Sequence, residues 1–413
     1  MAQKERPVTD GHAHGGLPLS DIRILDVASF IAAPVAATVL GDYGADVIKV
    51  EPPGEGDPNR TIAVVASGYP KSAVNYPWHL DSRGKRSLVI DLKNAQARAV
   101  FDRLIATADV LITNYPPAAR RRLKLDYDDV AKVNPRLIYA SFTGYGESGP
   151  DADQVGFDTT AYFARSGIMD GARYDDAVPA VTMPAQGDRA AGMALAAAIM
   201  IALWNREKTG KGTKVSSSLF ANGIWANGNV VQAALLNAPL PRRPPPDRPR
   251  SALSNVYRTK DDRWFQLTLV REDRDWPGVC RALERGDLLG DPRFNDMPKR
   301  RANGTALAAL LSGAFATRDL PSGASGSRRK PYPSHLSAGR KTWLTTSRRL
   351  PPGSSCQPRM PRCRAHWPHR SHWRMSRCRR RDPARRWART RKTFCGRQAS
   401  PPKRSPTSRR AVP

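Results

Sequence analysis

The chain changes character near residue 320, and that boundary confines any fold to what precedes it. Residues 321–413 hold 22 arginines and 13 prolines but only four Leu, Ile or Val residues. So few aliphatic side chains cannot offset the entropy of ordering the segment. A disordered basic tail over 321–413 is the expectation. Its mixture of Arg, Pro, Ser, Cys, His and Trp, with one acid, is what a GC-rich gene gives when read out of frame. A frameshift near residue 320 is therefore expected. The break also explains the formal net charge of +30. The tail carries 26 Lys+Arg against Asp382 alone, while the first 320 residues carry 41 basic and 36 acidic side chains. Steering a polyanion needs charge on a folded surface. A basic nucleic-acid-associated protein acting through this tail would bind without specificity and with a steep salt dependence.

The first 320 residues suit a globular enzyme of about two domains. They contain one cysteine, Cys280, so no disulfide framework is expected there. Met1 to Gly16 is a polar leader with no apolar stretch of the secretory kind. The longest apolar run, Ala190–Trp204, suits a buried helix better than a membrane span. A soluble cytoplasmic protein, without membrane attachment, is the default.

Within this body, short apolar runs alternate with amphipathic helical ones. Ile22–Ala28, Asp46–Glu51, Ser87–Asp91, Val110–Thr113 and Leu137–Phe142 read as strands. Between them, a helix opens at Pro34 and stops at Gly44. Another covers Asn94–Ala108, with Ala97, Val100, Phe101, Leu104 and Ala108 on one face. Such alternation predicts an α/β fold: a doubly wound, Rossmann-like parallel sheet covered on both faces. Pro239–Arg250 contains six prolines and reads as a linker. Beyond it, two strand-like runs in Asn255–Val270 and helices near Trp276–Glu284 and Thr305–Ala316 predict a smaller α+β domain. The expected organisation is a disordered leader at 1–16, a large domain at 17–238, a linker at 239–254, a small domain at 255–320 and the tail.

Two places suggest chemistry. The turn after the first strand, Ser29-Phe30-Ile31-Ala32-Ala33-Pro34, lacks the glycines of a dinucleotide fingerprint, which argues against a nicotinamide enzyme. Gln186-Gly187-Asp188-Arg189 precedes the apolar helix. A carboxylate there is favoured by the helix dipole and by unpaired N–H groups, and Asp188 reads first as an N-cap. The same groups would keep Asp188 ionised, as a covalent nucleophile requires.

At this point a resemblance enters. The opening block Leu17–Arg60, with Gly84–Lys93, Ala108–Pro117, Asn134–Pro150 and Arg206–Phe220, is similar throughout to the family III coenzyme A transferases of the CaiB/BaiF type, the group of formyl-CoA and carnitine-CoA transferases. The resemblance implies a CoA-binding large domain and Asp188 as nucleophile in a Gly-Asp pair. It implies contacts to CoA from Ala32, Ile90, Lys93, Asn114, Tyr115, Arg122 and Asp158. The backbone N–H groups near Gly187 would stabilise oxyanions. Acyl-CoA and a carboxylic acid would be the substrates, with no bound cofactor, no metal and an interlocked homodimer. Some members have an amide where Ile31 stands, an arginine where Pro52 stands and a glycine run that is absent here. The racemase branch has Gly-His-Asp where this chain has Gly156-Phe157-Asp158, and phenylalanine cannot exchange a proton. An α-methylacyl-CoA racemase is thus the second reading. Cys356, Cys363, His366, His369, His372 and Cys378 match no standard zinc spacing.

The tail expectation is checked by limited proteolysis: residues 321–413 should be cut before 21–215. A tail as resistant as the body would be a folded element, and the out-of-frame reading would be wrong.

Overall fold

The computed structural model describes residues 16–65, 68–180 and 183–320, with the two-residue strand Ser334–His335. Ser334–His335 is a strand within the tail that was expected to be disordered; the expectations for the leader before Gly16 and for the rest of the tail, including its disorder, its frameshift and its Cys/His set, lie outside the described residues.

The large domain is built on six strands: β1 (Arg23–Val27), β2 (Asp46–Glu51), β3 (Arg86–Val89), β4 (Val110–Thr113), β5 (Ile138–Thr143) and β6 (Thr213–Ser218). Their order is β3-β2-β1-β4-β5-β6 and every pairing is parallel. This is the doubly wound arrangement. Successive strand residues point to opposite faces, and each face has its own core. Ile24, Val110, Ile112, Ile138 and Ala140 pack beneath α1 (Ala32–Asp42). Leu25, Val27, Leu111 and Tyr139 pack with Phe101 and Ile105 of α2 (Ala95–Thr107).

Sequence expectations for the ends were close, with physical reasons for the shifts. Helix α1 starts at Ala32, two residues before Pro34. The missing proline N–H still falls in the first turn, where no intrahelical acceptor exists. Helix α2 is capped by Asn94, whose Oδ1 accepts the N–H of Gln96 at 2.9 Å and of Ala97 at 3.1 Å. Its buried stripe runs through Phe101 and Ile105, while Val100, expected on that face, is 40% exposed.

The apolar helix α3 spans Gln186–Thr209, longer than the run Ala190–Trp204. Asp188 in its first turn and Arg206 and Lys208 in its last suit the helix dipole, so the polar ends remain helical. By length and composition α3 could cross a membrane. In this fold it is a core helix: Ala191, Leu195 and Ile199 are fully buried, and buried Arg206 donates to Asp109 at 3.1 Å.

The smaller unit has the antiparallel hairpin β7 (Ser254–Arg258) and β8 (Trp264–Thr268), with β9 (Ser334–His335) on its far side. Helices α4 (Glu272–Ala282) and α5 (Gly304–Ala316) complete it. Ala252 and Leu253, assigned above to the linker, are buried in its core because they lead directly into β7. The proline-rich stretch is also tied down, through a bridge between Tyr174 and Arg243.

Helices α1 and α3 are in close contact at Gly192. A Cβ there would lie 2.6 Å from the Ala32 carbonyl oxygen. Gly192→Ala should cost about 1–3 kcal/mol through overpacking, read as a lower urea midpoint. An unchanged midpoint would show that the contact is looser than described.

Candidate active site

In open α/β sheets the ligand crevice lies at the carboxyl ends of the strands, where the strand order reverses. Here that point falls between β1 and β4. Asn114, just beyond β4, spans it. Its Oδ1 accepts the Ser29 N–H and its Nδ2 donates to the Ser29 carbonyl, both at 2.8 Å. The Asn114 amide, expected above to contact CoA, is a clamp across the crevice floor. It fixes the β1–α1 turn, in which Phe30 adopts φ of 63° despite its bulky side chain.

Beneath this turn lies a buried ionic cluster that sequence reasoning passed over. The Lys49 ammonium is 2.6 Å from Asp57 and 3.6 Å from Asp26. Lys85 is 2.8 Å from Asp26 and donates to the Pro34 carbonyl at 2.7 Å. Burial pulls the Lys49 ammonium down, but Asp26 and Asp57 outweigh it and its pKa is raised. Asp57 also accepts the Phe30 N–H at 3.0 Å. A signal was present: Lys49 and Asp26 interrupt apolar strands that are buried on both faces, where an ion survives only with a partner.

Asp188 sits three residues into α3, one turn before Gly192. It is not the N-cap. The capping position is Ala185, with φ of 66° and no side-chain cap. The cap comes from elsewhere in the chain. Asp158 opens a one-turn π-helix, Asp158–Ala164, and its Oδ1 accepts the Asp188 N–H at 2.8 Å. The N–H groups of Ala185 and Gly187 also donate to this carboxylate. The terminal N–H groups are thus directed at Asp158 and not at the Asp188 carboxyl, so they do not hold Asp188 ionised as its place near a helix start suggested. A carboxylate buried at 8% exposure outcompetes other acceptors for them. Asp158 itself caps the start of α3. Gly187 is required there, since a Cβ would lie 2.4 Å from the Tyr162 ring and 2.6 Å from Asp158.

Without the helix N–H groups, the Asp188 carboxyl is pushed up to about 7 by burial, with Asp158 and Asp81 adding and Arg189 opposing. Arg189 itself forms a two-pronged pair with buried Asp81, at 3.0 Å on each arm. The Tyr69 phenol faces the same group and is pushed up to about 12, mainly by burial. Asp81, Arg189 and Tyr69 had not been singled out from the sequence, and no spacing marks them. A cavity of about 420 Å³ borders the first residue of α3, lined in part by Tyr162, Phe163, Ile168, Gln186 and Asn227.

The other expected residues fall nearer the strand ends. Ala32 touches Gly192 and so lies one turn along α3 from Asp188. Ile90 is buried and Tyr115 half-buried, both in the core beneath α2. Lys93, in the loop after β3, and Arg122, ending the short helix Pro117–Arg122, are exposed to solvent. The structure thus joins Asp158, Gly187 and Asp188 in one group, with Ala32 beside it. Asn114 and Tyr115 meet the turn at Ser29.

A doubly wound sheet with a half-buried aspartate in the first turn of a core helix defines a class of fold and site, and comparison with known proteins gives the family. The family model for CoA-transferase family III matches residues 19–322. The chain is 35% identical over 280 residues to (R)-2-hydroxy-4-methylpentanoate CoA-transferase of Clostridioides difficile, covering 68% of this chain and 69% of the relative. It is 37% identical over 281 residues to cinnamoyl-CoA:phenyllactate CoA-transferase of Clostridium sporogenes, covering 67% of each. Among solved structures, a CAIB/BAIF family protein from Brucella suis aligns with a TM-score of 0.66 at 31% identity, over 73% of this chain and 79% of that one. The chain belongs to CoA-transferase family III.

The raised Asp188 carboxyl has a thermodynamic consequence. Its unfolded value is near 3.8, so the folded chain binds the extra proton between about pH 4 and 7. The group costs nothing below that window and destabilises increasingly through it. Asp188→Asn should therefore stabilise the fold at pH 8 and not at pH 4, by on the order of 1–3 kcal/mol, seen as a higher melting temperature at pH 8 alone. Calorimetry at the two pH values measures this, and equal effects at both would contradict it.

Proposed function

We propose that this CoA-transferase moves CoA from an acyl-CoA donor to a carboxylic acid with Asp188 as covalent nucleophile. The observation that carries the reading is the half-buried Asp188 carboxyl in the first turn of α3, its pKa pushed up to about 7 and its own backbone N–H held by Asp158. A carboxylate of raised pKa is a stronger nucleophile than an ordinary aspartate and is still ionised in part at pH 7. The ionised Asp188 attacks the acyl-CoA carbonyl, CoA leaves as its thiolate, and a mixed anhydride of Asp188 with the donor acyl group remains. The thiolate then attacks the Asp188 carbonyl of that anhydride, releasing the donor acid and leaving an aspartyl-CoA thioester. The acceptor carboxylate attacks the thioester, and the freed thiolate collects the acceptor acyl group from the second anhydride. Asp188 is regenerated as a carboxylate. No proton is consumed and no redox change occurs, so the side chains present suffice for this sequence.

Exposed Lys93 and Arg122 suit the phosphates of CoA, and the 420 Å³ cavity beside Gln186 suits an acyl group. Exposed Ile201, Trp204, Trp225, Leu235 and Leu236 support a homodimer that buries them. A cytoplasmic location accords with this chemistry. Racemisation is disfavoured by Phe157, which stands where a proton carrier would be needed.

Asp188→Ala should abolish transfer while CoA still binds. Hydroxylamine added with acyl-CoA should mark Asp188 in the parent, located by mass spectrometry. Transfer by the Ala variant within about tenfold of the parent, roughly 1.4 kcal/mol in barrier, would overturn the assignment.

A further inference from the structure

We propose that Asp158 is the positioning residue of the nucleophile: it fixes the Asp188 backbone through its N–H bond, and the two carboxyl groups together hold one proton in the resting enzyme. This rests on Asp188 as nucleophile and goes beyond it. Three geometric observations carry it. The Asp158 Oδ1 accepts the Asp188 N–H at 2.8 Å, so the two side chains share one helix mouth. The Asp158 Oδ2 is buried and has no hydrogen-bond partner, an expensive state for a fully charged carboxylate. The cation facing the pair, Arg189, is already engaged by a third carboxylate. The groups facing the pair are Asp81, Arg189, Tyr69 and Tyr162. Arg189 is matched by Asp81 on both arms, and both phenols stay neutral. Two carboxylates in such a setting cannot both ionise at modest cost, and one proton between them removes the conflict.

The proton then acts as a selector. With the proton on Asp158, Asp188 is the charged nucleophile, and Asp158 can still accept the N–H bonds that aim α3. With the proton on Asp188, the site is idle. The acid limb of the reaction therefore belongs to the pair and not to Asp188 alone. The π-helical turn that carries Asp158 supports a functional role, since such turns cluster at functional sites.

The test is the pH dependence of hydroxylamine trapping at Asp188, measured from pH 5 to 9 on the whole chain. Asp158→Asn retains an oxygen that can accept the N–H and removes the competing charge. The midpoint of its acid limb should fall by at least about one pH unit relative to the parent. Asp158→Glu, which keeps the charge, should retain a midpoint near the parent's and serves if the Asn variant does not fold. A purely structural role predicts the parent midpoint in Asp158→Asn with a changed plateau, and that outcome overturns the proposal. A Glu variant whose midpoint falls as far as one pH unit overturns it as well. If the parent itself shows no label at Asp188, the covalent reading fails, which is distinguishable from a labelled parent whose acid limb is insensitive to Asp158.

Discussion

Everything at the carboxyl edge of the sheet is referred to one buried ionic cluster. Lys49 on β2 and Lys85 just before β3 converge on Asp26 of β1, and Lys49 also holds Asp57. Through these groups the cluster also grips backbone: Lys49 donates to the Ala28 carbonyl, Lys85 to that of Pro34, and Asp57 accepts from Phe30. Three strands and the start of α1 are thereby fixed relative to one another. Buried ions of this kind add little net stability over an apolar replacement. Their effect is to make one geometry much cheaper than its neighbours, because removing any member would strand its partner. The position of α1 then sets that of α3 through Gly192, and α3 carries Asp188.

The local fold was legible wherever periodicity and packing agree. β2 and β4 were read with their observed bounds, β1, β3 and β5 shifted by one or two residues, and β6, mostly polar along its length, was not read as a strand at all. The strand alternation was enough to give the parallel, doubly wound arrangement. Val100 was misplaced because the helical stripe is narrower than a list of apolar residues suggests; Phe101, Ile105 and Ala108 are buried, Ala97 and Leu104 pack at its edge, and Val100 lies outside it. The linker was read slightly too long because proline content marks where regular structure stops, not where the next core begins.

The site was legible in its residues and not in its electrostatics. Asp188 and Asp158 could both be named, but their relation is non-local, with 30 positions between them. A sequence shows a carboxylate near a helix start and invites the nearest explanation, that it caps its own helix. Here the cap arrives from the π-helical turn instead, which reverses the expected sign of the effect on Asp188. Burial without those N–H bonds raises its pKa where the bonds would have lowered it. Asp81 with Arg189 is likewise a pairing across 108 positions that no spacing rule reveals.

Helix α3 is pinned by carboxylates at both ends, Asp158 at its first turn and Asp109 on Arg206 at its last. The two anchors are 18 residues apart along one rod, about 27 Å at the usual helical rise. A rigid rod held at both ends has a fixed rotational phase as well as a fixed position. Each residue added or removed between Gly192 and Arg206 would turn one end against the other by about 100°. The far anchor therefore sets the compass bearing of the aspartate without touching it. Length within this helix is under a tighter geometric constraint than the identity of most side chains along it.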